Sequence, residues 1–191
     1  MRKTIFIINI FLLAGFLHGE EWQVKENSKN SVQFISSTTL LDFEGNTNKI
    51  DGYLYWEGDT IFEKNAELYF EVDLNSVETG NGKRDRDMRE EVLETDKWPT
   101  TYFKGTIINF SQIGSSEKYD VTTKGKMFIH GVEKELEIPG IITITGNEMN
   151  IQTNFSVFLE DYSIEAPSLL AFIKVAEEIK LNLNFYLSKS E

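Results

Sequence analysis

The residues able to do chemistry are few in kind. The chain has no cysteine and two histidines, so a thiol nucleophile is absent and a His-rich metal site is excluded. His18 sits in an apolar leader, which leaves His130. That residue precedes Gly131 between two β-like segments, the place of a turn residue, and a Ser-His-Asp triad could run only through it. Carboxylates are plentiful. A carboxylate pair acting on a glycoside or a lipid stays open, yet no spacing singles one out: Asp85, Asp87, Glu90 and Glu91 share a charged segment of the kind any soluble helix presents. Arg84 and Asp85, adjacent at the start of that segment, admit two readings. They orient a polar head group, or they pair with each other and the surrounding rim to fix the loop from Thr79 to Gly82.

Charge narrows the partners. Thirty-one acidic residues against nineteen basic give a formal charge of −12. Loss of a leader carrying Arg2 and Lys3 moves it to −14, because no acidic residue precedes Glu20. Nucleic acid binding needs concentrated Lys and Arg, and stable docking on an anionic membrane needs the same, so neither partner is expected. The leader is itself a sequence feature: Met1, Arg2 and Lys3, then an apolar run from Ile5 to Leu17, then an acidic stretch from Glu20. The run is shorter than a spanning helix needs and has the form of a signal peptide, with a retained N-terminal anchor and a cut near Ala14 or Gly15 as the alternatives. Cleavage after Gly19 would leave 20–191 as one domain, periplasmic or secreted, without disulfides.

Those side chains must be positioned by β-structure. Ala66, Leu68, Phe70, Val72 and Leu74 alternate with Glu67, Tyr69, Glu71 and Asp73, and Ile179 to Leu187 repeat the pattern. Further strands are expected around Val32 and Phe34, and at 50–56, 102–110, 119–129, 135–144 and 149–159, eight in all. Glu44-Gly45-Asn46, Gly114-Ser115-Ser116, His130-Gly131 and Gly146-Asn147 are read as turns between them. An antiparallel meander of this size forms a sandwich or closes as a barrel, and strands of ten or more residues favour the barrel. One stretch departs: 84–96 carries Met88 and Val92 four apart among charges, a helix of about three turns across one end, ended by Pro99. Pro167 is expected to start a short helical turn over 168–172.

Thr79-Gly80, Arg84-Asp85, Met88, Trp98-Pro99 and Phe103 together resemble the hallmark of the YceI-like family. Phe34 with Phe43-Glu44-Gly45 and Gly52 is similar to its opening hairpin, and Asp161-Tyr162-Ser163-Ile164 with Pro167, Ser168 and Val175-Ala176 to its closing loop. The resemblance spans the chain after the leader. It implies an all-β fold, an eight-stranded antiparallel lipocalin-like barrel with one short helix over an end. It also implies an elongated apolar cavity for a polyisoprenoid, quinone-like or fatty-chain molecule. Many relatives carry a His where Asp87 stands, so that residue's role is not carried over.

On residues alone, a core filled by its own side chains and a ligand cavity stand level, since apolar stripes are the usual contents of small barrels. The resemblance tips the balance to a cavity, making the expected function the holding of a long apolar lipid for transport or storage. Its alternatives are an enzyme acting on a lipid or isoprenoid through carboxylates and a ligand-free structural barrel. The expected ligand-binding residues are Phe34, Phe70, Leu74, Arg84, Asp85, Met88, Val92, Trp98, Phe103, Phe155 and Tyr162. No catalytic residue, metal or cofactor is expected beyond the bound lipid. Outward Tyr53, Tyr55, Tyr69 and Tyr186 would also suit a homodimer contact.

Overall fold

The computed structural model describes residues 19–26, 29–170 and 173–190. Apart from Gly19, the expected leader lies outside them. The alternating segments become one antiparallel sheet that closes on itself. Its ring runs β1 (Gly19–Val24), β4 (Ile50–Glu57), β5 (Lys64–Asp73), β6 (Thr100–Gln112), β7 (Lys118–Ile129), β8 (Val132–Thr145), β9 (Glu148–Phe158) and β12 (Glu178–Lys189), and β12 pairs back onto β1. Closure leaves no open edge in the ring.

Two strands were not expected from the sequence: β1, and Asp42–Thr47 outside the ring. β1 lies in the acidic stretch after the leader and occupies the edge of β12 over Leu187–Lys189. β2 (Ser31–Ser37) occupies the same edge over Lys180–Asn184, and β3 (Asp42–Thr47) pairs with β2. The expected strand around Val32 and Phe34 is therefore a flank above β1 rather than a member of the ring. Gly45 is not in a turn either: it lies inside β3 opposite Phe34, where a Cβ would sit 2.2 Å from the Phe34 ring. The missing side chain is what seats that ring.

Curvature has an equally local origin. Gly105 and Gly125 face each other across β6 and β7, and a Cβ on either would come within 2.5 Å or 2.3 Å of the opposite backbone carbonyl. Two glycines in register let the sheet bend where bulkier residues would force it open. A bulge between Ile107 and Asn109 adds to the bend.

The non-β segment is helix α1 (Gly82–Asp87), which runs into a π-helical turn, Met88–Val92. Asn81 caps it by accepting from the N–H groups of Lys83 and Arg84, at 3.1 and 3.2 Å. It stops before Pro99, contrary to expectation: Glu94 turns left-handed at φ 45°, and the N–H groups of Lys97 and Trp98 donate back to its carbonyl. Past Pro167 the expected helical turn is instead a small hairpin, β10 (Ser168–Leu170) against β11 (Ile173–Lys174).

Candidate ligand-binding site

The two ends of the barrel are filled differently. At one end Trp22 and Trp56 stack at 6.3 Å, Phe62 packs edge-on to Trp56 at 5.1 Å and to Tyr119 at 5.8 Å, and Leu54, Met149 and Leu187 complete a plug. None of these side chains reaches the space above. That space is a cavity of about 750 Å³, within the range of small-molecule sites.

Its wall is built from the inward parity of nearly every strand. Leu68, Phe70 and Val72 come from β5, Phe103 from β6, Val121 and Met127 from β7, Ile151, Phe155 and Val157 from β9, and Ile179, Leu181, Leu183 and Phe185 from β12. Phe70 leans on Phe185 with centroids 4.9 Å apart, and Phe34 meets Phe43 edge-on at 6.2 Å. Three threonines of the wall are neutralised locally, whereas the Ser36 hydroxyl, also on the lining, is buried without a partner. The hydroxyls of Thr101, Thr123 and Thr153 donate to the carbonyls of Phe128, Ile138 and Pro139, at 2.5, 3.1 and 2.5 Å. Each threonine thus satisfies its hydroxyl within the sheet, and the lining stays apolar.

A roof partly covers the other end. Met88, Val92 and Leu93 come from the helix, and Leu159, Tyr162 and Ile164 from the segment after β9. Burial, with Asp161 close by, pushes the Tyr162 hydroxyl up to about 12, and that hydroxyl has no hydrogen-bond partner. Leu40 and Leu41, Lys83, Arg84, Asp87 and Glu91, with Pro167 and Val175, rim the opening. Among the described residues the carboxylates on the cavity lining are Asp87 and Glu91, both on the helical lid. Asp87 is held below its usual value by the hydrogen bond from Lys83.

Nine of the eleven residues expected at the site line this cavity: Phe34, Phe70, Leu74, Arg84, Met88, Val92, Phe103, Phe155 and Tyr162. Asp85 does not. Only 7% exposed, it accepts from the N–H of Thr79 at 2.9 Å and from the Thr79 hydroxyl. Arg84 donates Nε to the Thr79 hydroxyl at 2.8 Å and Nη2 to the Thr79 carbonyl at 2.9 Å, while its guanidinium lies 4.9 Å over the Phe43 ring. The pair bolts the helix to the loop before it, the architectural reading of these charges. Trp98 is also elsewhere. It meets Phe128 edge-on at 5.9 Å, at the end of an outer row of Tyr53, Tyr69, Tyr102 and Phe128.

Two features were not anticipated. Leu40 and Leu41 reach the opening from the turn between β2 and β3, and their signal was an apolar pair outside any alternation. His130 joins two pieces of the cover. Its Nε2 lies 2.9 Å from Glu94 and its Nδ1 3.3 Å from the Tyr162 carbonyl. Hydrogen bonds from Lys97 first and His130 second hold the Glu94 carboxyl below its usual range. Among the described residues no cluster of His, Cys, Asp or Glu could hold a metal ion.

A family model, the YceI-like domain, matches residues 22–187. The chain belongs to that family. Solved YceI-like barrels share the architecture at low identity. BcnA of Burkholderia cenocepacia is 16% identical with a TM-score of 0.68, over 85% of this chain and 98% of that one. A polyisoprenoid binding domain from Saccharophagus degradans, implicated in plant cell wall breakdown, is 14% identical at 0.68, over 88% and 98%. A Campylobacter jejuni YceI protein is 17% identical at 0.58, over 77% and 85%. Among curated proteins none matches the chain. The YceI-like fold expected from the sequence, a closed eight-stranded antiparallel barrel with a short helix, is the one found.

Proposed function

We propose that this YceI-like barrel is an exported lipid-binding protein that holds one long apolar molecule, an isoprenoid or fatty chain, for transport or storage, and that it performs no reaction on it. The observation that carries this reading is the cavity of about 750 Å³ walled by aliphatic and aromatic side chains above a separately packed plug. A single continuous core would have no reason to leave such a space empty, since unfilled apolar volume costs stability. Burying about ten methylenes at ~0.8 kcal/mol each supplies ~8 kcal/mol gross, from which ordering and association costs subtract, so micromolar affinity, about 8 kcal/mol net, calls for a chain longer than that, as a long apolar ligand provides. The polyisoprenoid-binding domain among its structural neighbours supports the ligand class. Export rests on the leader of residues 1–19. Among the described residues no helix is long and apolar enough to cross a membrane.

Titration calorimetry with isoprenols of increasing length tests this. Affinity should rise with chain length until the cavity is full and then level off, with each alcohol recovered unchanged. Absence of binding across this series and a matching series of fatty acids would refute the reading, and a chemically altered alcohol would replace it with catalysis.

A further inference from the structure

A chain-like ligand that fills such a cavity is scarcely soluble, so the barrel must collect it from somewhere other than water. The rim shows where. Leu40 and Leu41 are 72% and 56% exposed, the two most exposed large apolar residues described, and both also line the cavity. They form a continuous apolar path from solvent to interior. Of the other exposed large apolar side chains described, Ile108, Phe110 and Ile113 lie on the plugged end, and Phe158, at the end of β9, does not line the cavity.

The leucines are held out rather than left loose. Thr38 N–H and Thr38 Oγ1 both donate to the Leu41 carbonyl, at 2.8 and 3.0 Å, and Thr38 Oγ1 accepts from the N–H groups of Leu40 and Leu41. Thr38 is in turn bridged to Val175, and Ala176 N–H donates to the Ser37 carbonyl at 2.8 Å. A braced turn that presents two leucines to water keeps a hydrophobic cost in place at the rim of the cavity.

We infer that the Leu40–Leu41 turn is a docking tip that inserts into the surface of a lipid bilayer with neutral head groups and passes the ligand through the adjacent opening. This rests on the lipid-binding reading above. The charge selects neutral lipid: the chain is strongly acidic, and the cations at the rim are engaged, Lys83 with Asp87 and Arg84 with Thr79 and the Phe43 ring. Anionic head groups would meet repulsion with little to offset it.

The test uses anthroyloxy-stearate as probe, presented either in phosphatidylcholine vesicles or as a dilute aqueous solution. The protein should take the probe from vesicles at a rate that rises with vesicle concentration and falls when phosphatidylglycerol is mixed in. The double variant Leu40→Asp, Leu41→Asp should slow transfer from vesicles at least about tenfold, the equivalent of roughly 1.4 kcal/mol. Because both leucines also touch the cavity lining, the variant's uptake of the aqueous probe is the reference, and the slowing from vesicles should exceed any slowing from solution, with the melting temperature kept at the parent's as for most exposed substitutions. Uptake from solution with a vesicle rate that is unchanged in the variant, or independent of vesicle concentration, overturns the docking tip and leaves the binding reading intact. No uptake in either presentation overturns both.

Discussion

The plugged and open ends of the barrel are built by the same alternation of apolar and polar residues, yet one is solid and the other hollow. The difference lies in side-chain reach. At the plugged end Trp22 on β1 faces Leu54 on β4, and Trp56 and Phe62 extend the aromatic pile toward Tyr119. At the open end the wall is mostly Val, Ile and Leu, and its larger rings spend their bulk on the wall itself: Phe70 on Phe185 and Phe34 on Gly45 and Phe43. A tight barrel of this kind is either filled or holds one slim guest. Here the two outcomes occupy the two halves of one molecule.

That contrast should break first at Leu54, which has no exposed surface. Leu54→Ala should cost about 2–5 kcal/mol, since it removes contacts on all sides. Val72→Ala, whose side chain faces the cavity, should cost no more than about 1.5 kcal/mol in the ligand-free protein because contacts are missing on one side already. Equal losses in urea denaturation would mean that the upper half is packed after all. A second variant attacks the hollow half directly: Phe70→Arg puts a charge into the apolar wall, and calorimetry should show ligand uptake abolished, or circular dichroism the barrel unfolded.

Legibility in the sequence followed the same division. Wherever a strand buries one face against the interior, as at Ala66 to Leu74 and Ile179 to Leu187, the period of two revealed it. β1 was invisible because its only fully buried residue is Trp22. It is a strand because β4 and β12 offer backbone partners on both sides, a tertiary cause that overrides local composition. β3 was misread through Gly45, whose lack of a side chain serves a ring on the neighbouring strand and not a turn. At the site, the apolar residues were legible from parity. Asp85 and Trp98 were not, because their types suit a cavity rim equally well, and only the positions of Thr79 and Phe128 turn them away from it.

The roof sharpens the comparison with smaller effects. Val92→Trp should fill part of the hollow half and shorten the longest isoprenol bound, with melting little changed, since the lid is peripheral to the strand ladder. Tyr162 supplies a pH test. Its folded-state value is raised above that of the unfolded chain, so its contribution is fully present below about pH 10 and is lost as pH rises toward about 12, because the unfolded chain ionises first. Tyr162→Phe should flatten the alkaline fall in stability, with Tyr69, also pushed up to about 12, and Tyr102 and Lys124, both raised, contributing to what remains. The same change deletes an unpartnered buried hydroxyl and should leave stability at neutral pH equal or higher. Arg84→Ala should cost about 1–2 kcal/mol of stability through its lost bonds to Thr79, leaving the order of isoprenol affinities unchanged.

The most direct measurement is the cargo itself. Protein purified from its native compartment without detergent, examined intact by native mass spectrometry and then extracted with organic solvent, should carry close to one apolar chain-like lipid per barrel. A barrel that arrives empty under those conditions, and takes up no isoprenoid or fatty chain when they are supplied, would contradict the account.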